Sequence, residues 1–129
     1  MTRIRTRLAA VAATLALSGG AVVAAAPAAS AASAKSACWR AVVTAEDYAG
    51  QAASYASAGH LDAARDLAYT AISYTFGGDC ESNPAITDVE DARGQLNSGL
   101  NELDGGDGVG ASSRFRSAVD ELEQASYVA

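Results

Sequence analysis

Along residues 41–56, small apolar residues return every three or four positions: Ala41, Val42, Ala45, Ala49, Ala52, Ala53 and Ala56. That spacing marks one face of a helix, and no strand-like alternation competes with it. Tyr48 and Tyr55 border the face. Ser57-Ala58-Gly59-His60 then breaks the pattern as a turn. A second face follows in Leu61, Ala64, Leu67, Ala68, Ala71, Ile72 and Thr75, with Asp62 in the first turn, where the helix dipole favours negative charge. Gly77-Gly78 ends this helix, supplying the left-handed conformation a C-cap needs. Asn83-Pro84 reads as the cap and first residue of a third helix. Its face is Ala85, Ile86, Val89, Ala92, Leu96, Leu100 and Leu103. Residues 104–110 read as a Gly-rich loop, and Ala111, Phe115, Ala118, Val119, Leu122 and Ala125 line a fourth helix. Four helices and no strand predict an all-α domain, either a small four-helix bundle or two stacked antiparallel hairpins.

The chain ahead of these helices has a different character. Residues 1–7 carry Arg3, Arg5 and Arg7 and no acid, residues 8–26 are uncharged and mostly apolar, and small residues continue to Ala34. A positive start, an apolar middle and an A-x-A exit make up a secretory signal, so residues 1–34 are expected to be cleaved after Ala31 or Ala34. The arginines alternate with other residues, which points to the general export route. The stretch is near the ~20 residues of a membrane span, so retention by an uncleaved N-terminal helix is the alternative. Ser36-Ala37-Cys38 raises a second alternative, a lipid anchor at Cys38. It is disfavoured because Lys35 stands where a lipobox wants an aliphatic residue.

Removing the signal changes the composition. The chain is 50% hydrophobic, but 14 of its 32 alanines precede Lys35. From Lys35 to the end only 16 of 95 residues are Leu, Ile, Val or Phe, a lean supply for a core. This part keeps all 15 Asp and Glu but six of the nine Lys and Arg, so its formal charge is −9 against −6 for the whole chain. Such a surface argues against nucleic-acid phosphates or an anionic bilayer as the main partner. A 95-residue domain also excludes a multidomain enzyme with a large core.

Cys38 and Cys80 are the only cysteines, and an exported chain meets oxidising conditions, so a disulfide is expected. Gly59 lies 21 residues from each. If it marks the turn of a helical hairpin, equal arms of ~30 Å bring the cysteines together at the open end. In the chain-entropy model a loop of this length is worth about 4 kcal/mol.

The two turns match each other. Gly59 is followed by Ala64, Ala68, Ala71 and Ile72, and Gly106 by Ala111, Phe115, Ala118 and Val119, a period of 47. With Tyr55 four residues before Gly59, this spacing resembles the second half of a tetratricopeptide repeat, over about 25 residues of each half. The resemblance implies paired antiparallel helices serving as a peptide-binding or partner-binding scaffold, and it carries over no functional residue. The chain departs from that family in its period, in Glu102 where a second Tyr belongs, and in lacking a closing Pro.

Catalytic chemistry is hard to assemble from what remains. His60 is the only histidine, with Asp62 two residues on and no nucleophile to complete a set. His60-Leu61-Asp62 lies in a turn, whereas small secreted phospholipases need their His-Asp pair on a helix beside a calcium loop. Asp104 and Asp107 in the Gly-rich loop lack the alternating acids and twelfth-position Glu of an EF-hand. The clusters Glu46-Asp47, Asp88/Glu90/Asp91 and Asp120/Glu121/Glu123 read as solvated faces, or as a surface for a basic partner with salt-sensitive association. No catalytic residue, metal or cofactor is therefore expected.

Aromatic residues dominate binding hot spots, which makes Trp39, Tyr69, Tyr74 and Tyr127 the interaction candidates. Trp39 has a competing role, covering the disulfide beside it. The expectation is a small secreted, non-enzymatic helical module for an extracellular or envelope protein partner. A small carrier of apolar ligands is the first alternative, and a small secreted hydrolase the second.

Overall fold

The computed structural model describes residues 36–129. Helix α1 spans Ala37–Ser57, α2 Leu61–Thr75, α3 Ile86–Asp104 and α4 Gly108–Val128, with a single 3-10 turn at Cys80–Ser82 between α2 and α3. Among the described residues there is no strand, so the domain is all-α, as the periodicity predicts.

Ser36 starts α1. Its hydroxyl accepts the Trp39 N–H at 2.9 Å, satisfying one of the N–H groups a helix start leaves open. Most of each predicted face is buried: Val42, Ala45, Ala49 and Ala52 on α1, Ala64, Ala68 and Ala71 on α2, Val89, Ala92 and Leu96 on α3, and Phe115, Ala118 and Leu122 on α4. Leu61, Leu67, Ile72, Ile86 and Val119 flank this core half-buried. Helix α1 packs along α2 on one side and α4 on the other, and α3 packs along α4. The α2–α3 seam is much slighter. The result is a bundle whose two hairpins join mainly along α1 and α4.

The two hairpin corners are built alike. Gly59 (φ 87°) and Gly106 (φ 80°) adopt the left-handed conformation that a residue without Cβ enters freely. Each N–H bonds the carbonyl three residues back, Gly59 to Ala56 at 3.1 Å and Gly106 to Leu103 at 2.9 Å. The next N–H reaches five back, His60 to Tyr55 and Asp107 to Glu102, both at 2.9 Å. This is a Schellman motif at both corners, at the spacing of 47 read from the sequence.

Two expected boundaries need correction. Helix α3 begins at Ile86, not at Pro84. The Asn83 side chain is spent on the Ala85 N–H at 2.9 Å, and the Asn83 carbonyl takes the Ile86 N–H at 3.0 Å, so residues 83–86 form a turn ahead of the helix. The loop expected over 104–110 is also shorter. Asp107 caps α4 by accepting the Gly110 N–H at 2.8 Å, which turns its glycines at 108 and 110 into first-turn helix residues.

Cys38 and Cys80 form the expected disulfide, with Cα atoms 4.8 Å apart, and both are 1% exposed. It fastens the first turn of α1 to the segment that connects the two hairpins. None of the described helices is long and apolar enough to cross a membrane. The expected signal sequence lies outside the described residues.

Candidate functional site

The four aromatic candidates sit on three helices. Trp39 lies half-buried in the first turn of α1, next to the disulfide. Tyr69 and Tyr74 stand on α2, 57% and 41% exposed, and Tyr127 near the end of α4 is 69% exposed. Tyr74 stacks on Tyr48 of α1, with ring centroids 5.7 Å apart and planes within 9°. That pairing holds one face of Tyr74 against the molecule and leaves Tyr69 the more available ring of α2. The Tyr127 O–H donates to the Glu123 carboxylate at 2.9 Å. That bond, and then the charge of Glu123, raises the phenol above its ordinary pKa.

Phe76 was not singled out by spacing, because it falls just beyond α2. It is 63% exposed, and the Arg93 guanidinium lies 3.8 Å from its ring centroid. Arg93 itself is well ordered by hydrogen bonds. It donates to the Thr75 hydroxyl at 3.0 Å, the Thr75 carbonyl at 2.6 Å and the Glu81 carboxylate at 3.0 Å. A lone arginine between Ala92 and Gly94 has no periodic signature, so only the folded arrangement shows its role.

The polar groups considered for chemistry are mostly engaged elsewhere. His60 is exposed at the start of α2, its ring edge-on to Tyr55 with centroids 6.0 Å apart. Asp62 pairs with Arg65 at 3.3 Å, so its carboxylate answers a cation and not His60. Arg65 also binds Asp104 at 2.8 Å, and Asp107 caps α4, which gives both acids of the Gly-rich segment structural work.

Two of the acidic clusters do meet. Asp88 and Asp91 of α3 and Glu121 of α4 each place one carboxylate oxygen within 4.8 Å of the others. Three such oxygens amount to about half the ~6–8 that calcium takes. Across the α1–α4 seam, Glu46 is held above its ordinary pKa by partial burial, then by the charges of Glu123 and Asp47. An open hollow borders Val43, Glu46, Asp47, Gly50, Gln51, Ser54 and Tyr55. All seven come from α1, so the described residues provide one wall and no enclosing cleft.

No family model, no curated protein and no solved structure matches the chain.

Proposed function

We propose that residues 36–129 act as a secreted, non-enzymatic interaction module for a protein or envelope component outside the cell. The observation that carries this reading is the exposure of Tyr69, Tyr74 and Tyr127 on stiff, well-packed helices. Rigid aromatic side chains lose little entropy on binding and supply large contact areas. The −9 formal charge of residues 35–129 adds a preference for basic surfaces, which would make association fall with salt. A buried disulfide fits an oxidising destination.

The test is affinity capture from secreted and envelope fractions, with the wild-type protein and a Y69A/Y74A/Y127A variant immobilised side by side. The expected result is a partner retained by the wild type, eluted by salt and lost from the variant at unchanged helicity. Equal retention by both proteins, or none at any salt, overturns the reading.

A further inference from the structure

The connection between the hairpins, residues 77–85, is held from two sides. Toward α1 the hold is covalent, through Cys80 to Cys38. Gly78, at φ 71°, lies so close to the start of α1 that a Cβ there would overlap the Ala37 carbonyl. Toward α3 the hold is polar, and Arg93 is its centre. Its guanidinium ties the last turn of α2 (Thr75) to the 3-10 turn (Glu81) and covers the Phe76 ring, with only 12% of the side chain exposed.

Both cysteines are 1% exposed, so a thiol reaches the sulfurs only after a local opening. Apart from the disulfide, the strap's one ionic tie among the described residues is the Arg93–Glu81 bond at 3.0 Å, and Arg93 is held in place for it by its bonds to Thr75 just ahead of the strap. The α2–α3 seam beneath is much slighter than the α1–α2, α1–α4 and α3–α4 seams, so lifting the strap disturbs little of the core.

We propose that the strap is a redox gate latched by Arg93: opening of the Arg93 contacts exposes Cys80 and sets the rate at which the disulfide exchanges with a dithiol. In that exchange a thiolate of the dithiol attacks the Cys80 sulfur, which lies on the lifting segment, and the Cys38 sulfur leaves. Cys38 sits in the first turn of α1, where the positive end of the helix dipole favours a leaving thiolate. The second thiol of the reagent then displaces Cys80 and closes the reagent's own disulfide. Two electrons pass to the protein, and two protons complete the Cys38 and Cys80 thiols.

The experiment follows reduction of the purified, disulfide-bonded protein by dithiothreitol without denaturant, quenching by alkylation and counting modified cysteines by mass. R93M is expected to be reduced roughly tenfold faster than wild type. E81Q removes one exposed partner and cannot unfold the core; it is expected to speed reduction roughly twofold. E102Q removes the distant Arg114–Glu102 pair (3.6 Å) and is expected to leave the rate unchanged. If R93M does not fold, E81Q against E102Q decides. The proposal is overturned if R93M or E81Q is reduced at the wild-type rate, or if E102Q accelerates reduction as much as they do, because reduction then requires global unfolding.

Discussion

The two hairpins share a corner geometry and differ in what fills them. In α1–α2 the buried positions are nearly all alanine, including Ala52 and Ala68. At the matching offsets in α3–α4 stand Gly99 and Phe115, and a Cβ at Gly99 would overlap the Phe115 ring. Leu96, Leu100, Leu103 and Leu122 add further bulk to the second hairpin. Each buried CH₂ contributes about 0.8 kcal/mol, so the alanine hairpin draws much less from burial. It is also the hairpin whose open end the disulfide closes. A covalent tie and a large buried ring thus do equivalent work in the two halves.

The largest expected effect tests the second half of that comparison. Phe115→Ala leaves a ring-sized void over Gly99 and should cost about 3–5 kcal/mol in urea unfolding. The reciprocal transplant sharpens it: Ala68→Phe alone should overpack the first hairpin by about 1–3 kcal/mol, and adding Ala52→Gly should recover part of the loss. No recovery would show that the matching positions are not packed alike.

Removing the tie comes next. A C38S/C80S protein should lose about 2–4 kcal/mol, read as a lower melting temperature. If F115A and C38S/C80S cost very different amounts, the equivalence of ring and disulfide fails.

The corners offer a smaller, cleaner test. Asp107 (φ −97°, ψ 85°) caps α4, whereas His60 (φ −88°, ψ 73°) holds nearly the same backbone shape at the start of α2 with no side-chain cap bond. Asp107→Ala should cost about 1 kcal/mol, and His60→Asp should gain about 0.5–1 kcal/mol by taking the cap its backbone already permits. A destabilised H60D would mean that the His60–Tyr55 contact outweighs the missing cap.

The smallest effect lies between the hairpins, at Glu46. Its pKa is higher in the folded protein than in the unfolded chain, so folding favours the protonated form. The stability from this group is full below the unfolded value and is lost as pH rises through the folded one. Glu46→Gln should therefore melt slightly higher than wild type at pH 7, with the gap closing at lower pH. A gap that ignores pH would assign the effect to packing.

Much of this fold is visible as spacing. Alanine and leucine recurring at three and four positions locate the four α-helices of the described residues, and equal arms about Gly59 pair Cys38 with Cys80. Spacing fails where a residue's work is set by a neighbour far along the chain. Nothing in the spacing singles out Gly99, whose missing Cβ makes room for the Phe115 ring. Nothing in it singles out Arg93 either, around which Thr75, Phe76 and Glu81 gather only in the folded chain. Residues 104–110 look like loop because glycine is a poor helix former, yet one capping aspartate is enough to start α4 at Gly108. The aromatic candidates were legible as individuals, but the Tyr48–Tyr74 stack depends on how α1 and α2 lie together.

The twin corners also make the molecule a ruler. They lie at the same end of the bundle, since Arg65 in the second turn of α2 reaches Asp104 at the end of α3. Open space surrounds Gly59 and Gly106, and Ala58 and Gly105 beside them are exposed. A pair of spectroscopic probes on those two neighbours would sit clear of the core and report, as one distance, how far the two hairpins spread when the domain breathes or is gripped.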